Sequence, residues 1–325
     1  PGSQEVDDSV SVKEDGLVVS CATVQLTLSI RTPEMLRFRY IGAQPDAAPE
    51  RTYAVVLEPQ GDVEYRIVGT DTGVRLCTEA LAVDVHLAGC RSVVRDASGT
   101  VLLEESDIGG YFEGPGVAPN SDNWGVGVHR TIVDNEHFYG FGERNGPLDK
   151  RGQRMTFWNS DVPGYGPTTD PLYQSVPFFV GMRGTTAYGL LTDNSYRMVM
   201  DMGASDASTY TITTAGGEID QTFIAGPSIA TVVQRYTELT GTMPLPPRWT
   251  LGYHQSRHGY FPDTQVLEIA QGLRDRNFPV DAMWLDIDYM DEYRIFTWGE
   301  EFSKDPAAMI SQLREDGIRT VVIID

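Results

Sequence analysis

The feature that most constrains this 325-residue chain is a change of hydrophobic rhythm near Gly226. From Val10 to about Phe223, short runs rich in β-branched and aromatic residues alternate with Gly, Asp, Asn and Pro. Examples are LVVSCATVQLTLSI, TYAVVLEP, EYRIVG, LAVDVHLAG, SVVRDASGTVLLE, VPFFVGM, AYGLLTD and STYTITTAGGEI. Runs of about four to eight residues between turn signals, with hardly any helical periodicity, predict an antiparallel β-sandwich. The absence of a repeat of fixed period argues against a propeller or solenoid.

Beyond Gly226 the segment SIATVVQRYTELTG has apolar residues at helical spacing and ends on Gly241, and MPLPPRW follows as a rigid proline linker. A domain boundary is expected there, with a sandwich over 1–243 and a second domain over 244–325. That second part opens with the strand-like WTLGYH. A helix is predicted from about Asp263 to Arg276, started by Pro262 and Asp263 and carrying Val266, Ile269, Ala270 and Leu273 on its apolar face. The strand VDAMWLDID comes next. A second helix, about Asp305 to Asp316, has Pro306 early, Ala308, Met309, Ile310 and Leu313 facing inward, and Gly317 as its stop. The final RTVVIID is continuous apolar sequence of the kind buried on both faces of a parallel sheet. The order β-α-β-α-β predicts a parallel α/β domain. Three such strands leave edges that a (β/α)8 TIM barrel closes with five more, so the expected multidomain architecture is a sandwich followed by the first part of a barrel. A small open α/β sheet is the alternative, but no glycine-rich phosphate loop follows any of these strands.

Acidic residues outnumber basic ones by 46 to 25, giving a formal charge of -21 that disfavours nucleic acid and suits a neutral substrate. Cys21, Cys77 and Cys90 form no CxxC pair and are too sparse for a disulfide scaffold or thiolate zinc site, so packed thiols are expected. No apolar run approaches the roughly 20 residues that span a bilayer. The opening PGSQEVDDSV lacks the basic and apolar regions of a signal peptide. The expectation is a soluble chain with no membrane partner and a cytoplasmic setting, secretion being left open because a processed chain also lacks its signal. With five histidines and no HxH, HExxH or GxSxG spacing, neither a catalytic metal site nor a serine nucleophile is expected.

Barrel enzymes place chemistry at the carboxyl ends of their strands, and the most unusual end here is Trp284-Leu285-Asp286-Ile287-Asp288-Tyr289-Met290-Asp291. Strand alternation would put Asp286 and Asp288 on one face and Ile287 on the other. Asp288 and Asp291 read as caps of the following turn. Asp286 follows a buried apolar run, where an ionised carboxylate needs a polar partner or a ligand.

The runs GYHQSRHGYFPD, FPVDAMWLDIDYMDEYRIFTW and DGIRTVVIID resemble the first three barrel strands of glycoside hydrolase family 31, and FYGFGERNGPLDKRG with MTFWNSD resembles its N-terminal sandwich. The resemblance covers about Glu136 to Asp325 and implies a galactose-mutarotase-like sandwich joined to a catalytic barrel. It implies a retaining α-glucosidase that needs no cofactor and whose two catalytic carboxylates stand about 5 to 5.5 Å apart. In the family both come from later strands, so no catalytic residue is expected within residues 1–325. By motif, Asp286 resembles the aspartate that holds sugar hydroxyls in the -1 subsite, Ile287 its apolar neighbour, and Ile324 another wall residue. Asp161, in the loop DVPGYGPTTDPLYQS, resembles an aspartate lent by the sandwich to the pocket rim; an ordinary turn residue is the other reading. His258 stands where relatives have Trp or Tyr, which leaves the next subsite and linkage preference open; a histidine satisfied by core neighbours is its other reading. His254 reads as structural. The implied partners are an α-glucoside or oligosaccharide and the remainder of the same enzyme. An α-glucosyl transferase and a non-catalytic carbohydrate-binding protein remain alternatives.

Overall fold

The computed structural model describes residues 7–42, 53–59, 63–106, 110–119 and 123–324, and it divides into two compact units, Pro1–Thr242 and Met243–Asp325. In the first unit an eight-stranded antiparallel sheet runs, in spatial order, Val10–Lys13, Gly16–Ser20, Gln25–Thr32, Met35–Ile41, Ile219–Ala225, Thr186–Thr192, Phe178–Arg183 and Glu136–Gly140. The opposing layer is made of two five-stranded sheets. One is a meander from Arg66–Thr70 to Val101–Glu104, and the other orders Tyr111–Pro115, Trp124–Thr131, Thr209–Thr214, Met198–Asp201 and Arg154–Phe157. An isolated bridge between Glu105 and Arg130 joins them.

Period-two patterning explains the layers. In Gln25–Thr32 the residues Leu26, Leu28 and Ile30 are buried while Thr27, Ser29 and Arg31 turn outward. The buried side chains of all three sheets, among them Phe38, Val83, Val128, Tyr188, Ile212 and Phe223, merge into one core. Each fully buried Leu or Phe contributes about 1.5–3 kcal/mol. The core also holds charge. Glu136, fully buried, accepts from Arg183 Nε and Tyr188 Oη, each at 2.9 Å. Burial holds the Glu105 carboxyl above the usual range, although Arg130 lies 3.7 Å away and opposes the shift.

Two expectations change in this unit. Cys21 and Cys90 are not thiols: they form a disulfide with Cα atoms 5.7 Å apart, whereas Cys77 is free and buried. The pairing joins residues 69 positions apart, which only the stacking of the sheets brings together. The described part of TYAVVLEP, Tyr53–Pro59, is not a strand; Val55 and Leu57 pack beside the helix Ile229–Thr240, and Val56 and Leu57 amides donate to the Leu239 carbonyl near its end. The helix start is capped by Ser228, whose hydroxyl accepts from Thr231 N, and Gly241 ends it with φ 83°.

In the second unit WTLGYH is mostly a one-turn 3-10 helix, Arg248–Leu251, so the first parallel strand is only His254–Gln255. It pairs with Ala282–Leu285, which pairs with Arg319–Val322. The helices Asp263–Asp275 and Pro306–Glu315 cover one face, burying Val266, Ala270, Met309 and Leu313 against Met283 and Leu285; Ala308 is exposed rather than inward. Asp305 caps the second helix, accepting from Ala308 N at 3.0 Å. The third strand is not buried on both faces. Among the described residues it is hydrogen-bonded on one side only, and Val322 and Ile324 are 36% and 59% exposed. No described helix is long and apolar enough to cross a membrane.

Candidate functional site

Because the three strands of the second unit are parallel, their carboxyl ends lie at one edge, and the candidate residues follow from there. The middle strand stops at Leu285. Asp286, half-buried with φ -80° and ψ -174°, caps the one-turn 3-10 helix Ile287–Tyr289, its Oδ1 accepting from Ile287 N at 2.8 Å. Its second oxygen has no hydrogen-bond partner among the described residues.

Strand alternation therefore does not reach Asp288, which sits inside the turn and shares no strand face with Asp286. Nor does Asp288 cap the turn. Its Oδ2 lies against Gly259 in the preceding loop, where a Cβ built on the glycine would sit 2.3 Å away. Asp291 does close its own turn: its amide donates to Thr297 Oγ1 at 3.0 Å, and its carboxylate pairs with Arg294.

Ile287 is half-buried against the core of this unit. Ile324 lies just past the third strand, largely exposed. Two residues after Ile287 comes Tyr289, a residue sequence reasoning passed over. Its buried ring lies 5.0 Å from that of Trp298, and its hydroxyl donates to the Ile323 carbonyl at 2.9 Å.

His258 is exposed in the loop after the first strand and has no hydrogen-bond partner among the described residues, so it is not a histidine satisfied by a core. The loop is held instead by its neighbours: Gln255 Nε2 donates to Tyr260 Oη at 2.7 Å, and the Arg257 guanidinium lies 5.9 Å from the Tyr260 ring centre. His254 is structural. Its Nε2 stands 3.2 Å from the Trp249 carbonyl and its Nδ1 accepts from Trp284 Nε1 at 3.0 Å, an arrangement that requires the neutral ring protonated on Nε2.

Asp161 belongs to the first unit. It is exposed at the start of the loop that follows Arg154–Phe157. Although long and rich in Gly and Pro, this loop is well tied. Ser160 N donates to the Leu172 carbonyl at 3.0 Å, Asp170 accepts from Thr156 N at 2.8 Å and from Arg144 at 3.0 Å, and Asn145 reaches the Gly166 carbonyl at 2.7 Å. The Arg144 guanidinium also lies 4.3 Å from the centre of the Phe157 ring, and its burial lowers its affinity for a proton, with Asp170 opposing that shift. Tyr165 and Tyr173 project from the loop, edge to face at 6.1 Å. Neither Arg144 nor Asp170 carries a sequence signal; what marks them is their shared hold on the Thr156 backbone.

A sandwich joined to a parallel strand-helix unit, with a carboxylate at a strand's carboxyl end, is the architecture of a barrel enzyme with an accessory β domain. Residues 25–201 match the glycosyl hydrolase 31 N-terminal galactose mutarotase-like domain, and residues 243–325 match the glycosyl hydrolases family 31 TIM-barrel domain. The chain belongs to glycoside hydrolase family 31. It is 39% identical over 273 residues to an alpha-glucosidase 2 of Bacillus thermoamyloliquefaciens, covering 84% of this chain and 33% of that protein. An alpha-glucosidase of Saccharolobus solfataricus is 32% identical over 198 residues, 61% of this chain and 29% of the relative. A Flavobacterium johnsoniae GH31 dextranase solved with isomaltotriose superposes with a TM-score of 0.86 at 26% identity, covering 99% of this chain and 38% of its own. The chain thus spans about a third of the length of these relatives.

Proposed function

We propose that this chain supplies the sandwich and the opening strands of the barrel of a retaining α-glucosidase that removes terminal glucose from α-linked oligosaccharides or glucosides. The observation that supports this best is Asp286: a half-buried carboxylate at a barrel strand's carboxyl end, anchored through Oδ1 and open at Oδ2. A carboxylate accepts hydrogen bonds from sugar hydroxyls and orients the ring, and its charge-assisted bonds strengthen as water is excluded. Ile287 and Ile324 offer apolar walls to the ring's C–H faces, and His258 a small polar ring on the loop after the first strand.

Retention requires a nucleophilic carboxylate and an acid/base in register, one to form the glycosyl-enzyme bond and the other to protonate the leaving oxygen and then activate water. Both are assigned to parts of the enzyme outside residues 1–325, the remainder of the barrel being this chain's partner. The likeness to a dextranase, at a TM-score of 0.86 over 99% of this chain, supports a second reading in which the substrate is an α-glucan. The disulfide supports an oxidising compartment over the cytoplasmic setting expected from the sequence.

The test is Asp286→Ala in the enzyme with its barrel complete. A lost charged hydrogen bond in a desolvated site costs about 1.5–3 kcal/mol each, so loss of two or more should abolish useful turnover of α-glucosides, while the loss of its cap to Ile287 N lowers stability by only about 0.5–2 kcal/mol and leaves the protein folded. Near wild-type kcat/KM would mean that Asp286 serves only as the cap of its turn.

A further inference from the structure

The turn that presents Asp286 and Ile287 continues into two residues that reach sideways, one to each neighbouring loop. Asp288 reaches back. Its Oδ2 rests on Gly259, the residue after His258, in a space that any side chain at 259 would fill: a Cβ there would stand 2.3 Å from the oxygen. Gly259 also has φ 74°, a conformation that favours glycine, and a Cβ added there would force the Asp288 carboxylate to shift. Asp288 is half-buried and has no hydrogen-bond partner among the described residues. The carboxylate's close approach to Gly259 sets how near the loop that carries His258 can come to this turn. Tyr289 reaches forward. Its phenol donates to the carbonyl of Ile323, and so fixes the peptide leading to Ile324 at the end of the third strand.

We propose that Asp288 and Tyr289 are positioning residues for the sugar pocket, Asp288 setting the loop that carries His258 and Tyr289 setting Ile324, an inference that rests on the glycosidase reading above. Two consecutive residues then hold the two neighbouring strand ends while the preceding two face the sugar. The two braces have different consequences. His258 stands where the next sugar unit would lie, so moving its loop alters the ranking of linkages. Ile324 borders the glucose that every substrate shares, so moving it weakens all of them alike.

The experiment uses the enzyme with its barrel complete. Variants Asp288→Asn, Asp288→Ala, Tyr289→Phe, Gly259→Ala and the double variant Gly259→Ala/Asp288→Ala are assayed on α-1,4, α-1,3 and α-1,6 glucose disaccharides, alongside thermal unfolding. Removing the carboxylate's hold should change the ratio of kcat/KM between linkages by about tenfold, the scale of one displaced contact in a specificity pocket. Tyr289→Phe should raise KM for all three disaccharides by a similar factor and leave their ranking unchanged. Gly259→Ala alone should be the most damaging, and adding Asp288→Ala should restore part of the loss, because the clash is with that carboxylate. Should the Asp288 variants shift the thermal transition yet keep linkage ratios within about twofold, and the Gly259 effects add without recovery, the positioning role is refuted. Asp286→Ala, run beside them, separates the cases. If it retains activity the glycosidase pocket itself is misplaced, and if it is inactive while the Asp288 variants keep wild-type linkage ratios and Tyr289→Phe keeps wild-type KM, only the braces fail.

Discussion

Reducing or removing the Cys21–Cys90 bond should cost the sandwich much of its stability. The bridge closes a loop of 69 positions, tying the turn after Gly16–Ser20 to the turn before Arg91–Asp96. In the chain-entropy account a loop of that length removes about 4 kcal/mol from the unfolded state's advantage at 25 °C. That is a large share of the roughly 5–15 kcal/mol by which a domain is ordinarily stable. Cys21→Ser is the better variant, because Cys21 is half-buried whereas Cys90 is fully buried with φ 53°, where a hydroxyl would be desolvated as well. With a urea slope of about 2–3 kcal/mol/M, the midpoint of the β-sheet signal in far-UV circular dichroism should fall by about 1–2 M. Wild type in reductant should fall equally, and Cys21→Ser should not respond to reductant further. Thiol titration of denatured, unreduced protein should find one reactive sulfur, Cys77. Three reactive thiols, or a midpoint indifferent to reductant, would refute the reasoning and return the cysteines to the packed thiols that their spacing suggests.

Acid should act on the sandwich partly through Asp149. Burial raises its pKa, but hydrogen bonds from His137 Nδ1 at 2.6 Å and from the Arg151 and Phe138 amides outweigh that and hold it below the usual aspartate value. A depressed carboxyl stabilises above its unfolded pKa of about 3.9 and loses that contribution as pH falls through the folded value. Asp149→Asn should therefore lower stability near neutrality and flatten the acid limb, and an unchanged limb in pH-dependent urea unfolding would count against it. His258→Trp, in the enzyme with its barrel complete, should alter relative rates on α-1,4, α-1,3 and α-1,6 disaccharides while moving stability by no more than about 0.5 kcal/mol, because an exposed side chain is exchanged. Constant relative rates would show that the ring does not border the next sugar.

The period-two runs of the first 225 residues and the helical runs after Gly226 determined both units by themselves, because alternation and 3.6-residue spacing are local properties that burial enforces wherever the segment lies. Helix limits came within a residue or two, Asp305 and Gly241 acting through capping chemistry that is also local. The strand-end carboxylate at Asp286 was legible for the same reason, since an acid after AMWL has few structural explanations. Strand extent was not. WTLGYH and VDAMWLDID read as long strands, yet Trp249–Leu251 and Ile287–Tyr289 coil into 3-10 turns, where Trp249 stacks on His254 and Tyr289 meets Trp298 and Ile323. Those contacts cross between segments and leave no periodic trace.

The same holds for the rest of what only the tertiary structure decided: the Cys21–Cys90 bond, the hold of Arg144 and Asp170 on Thr156, and the carboxylate of Asp288 on Gly259. Each joins positions from 12 to 69 residues apart through sheet stacking or loop approach. A side chain's type announces that it needs a partner, but which partner it meets depends on distances that no single segment contains.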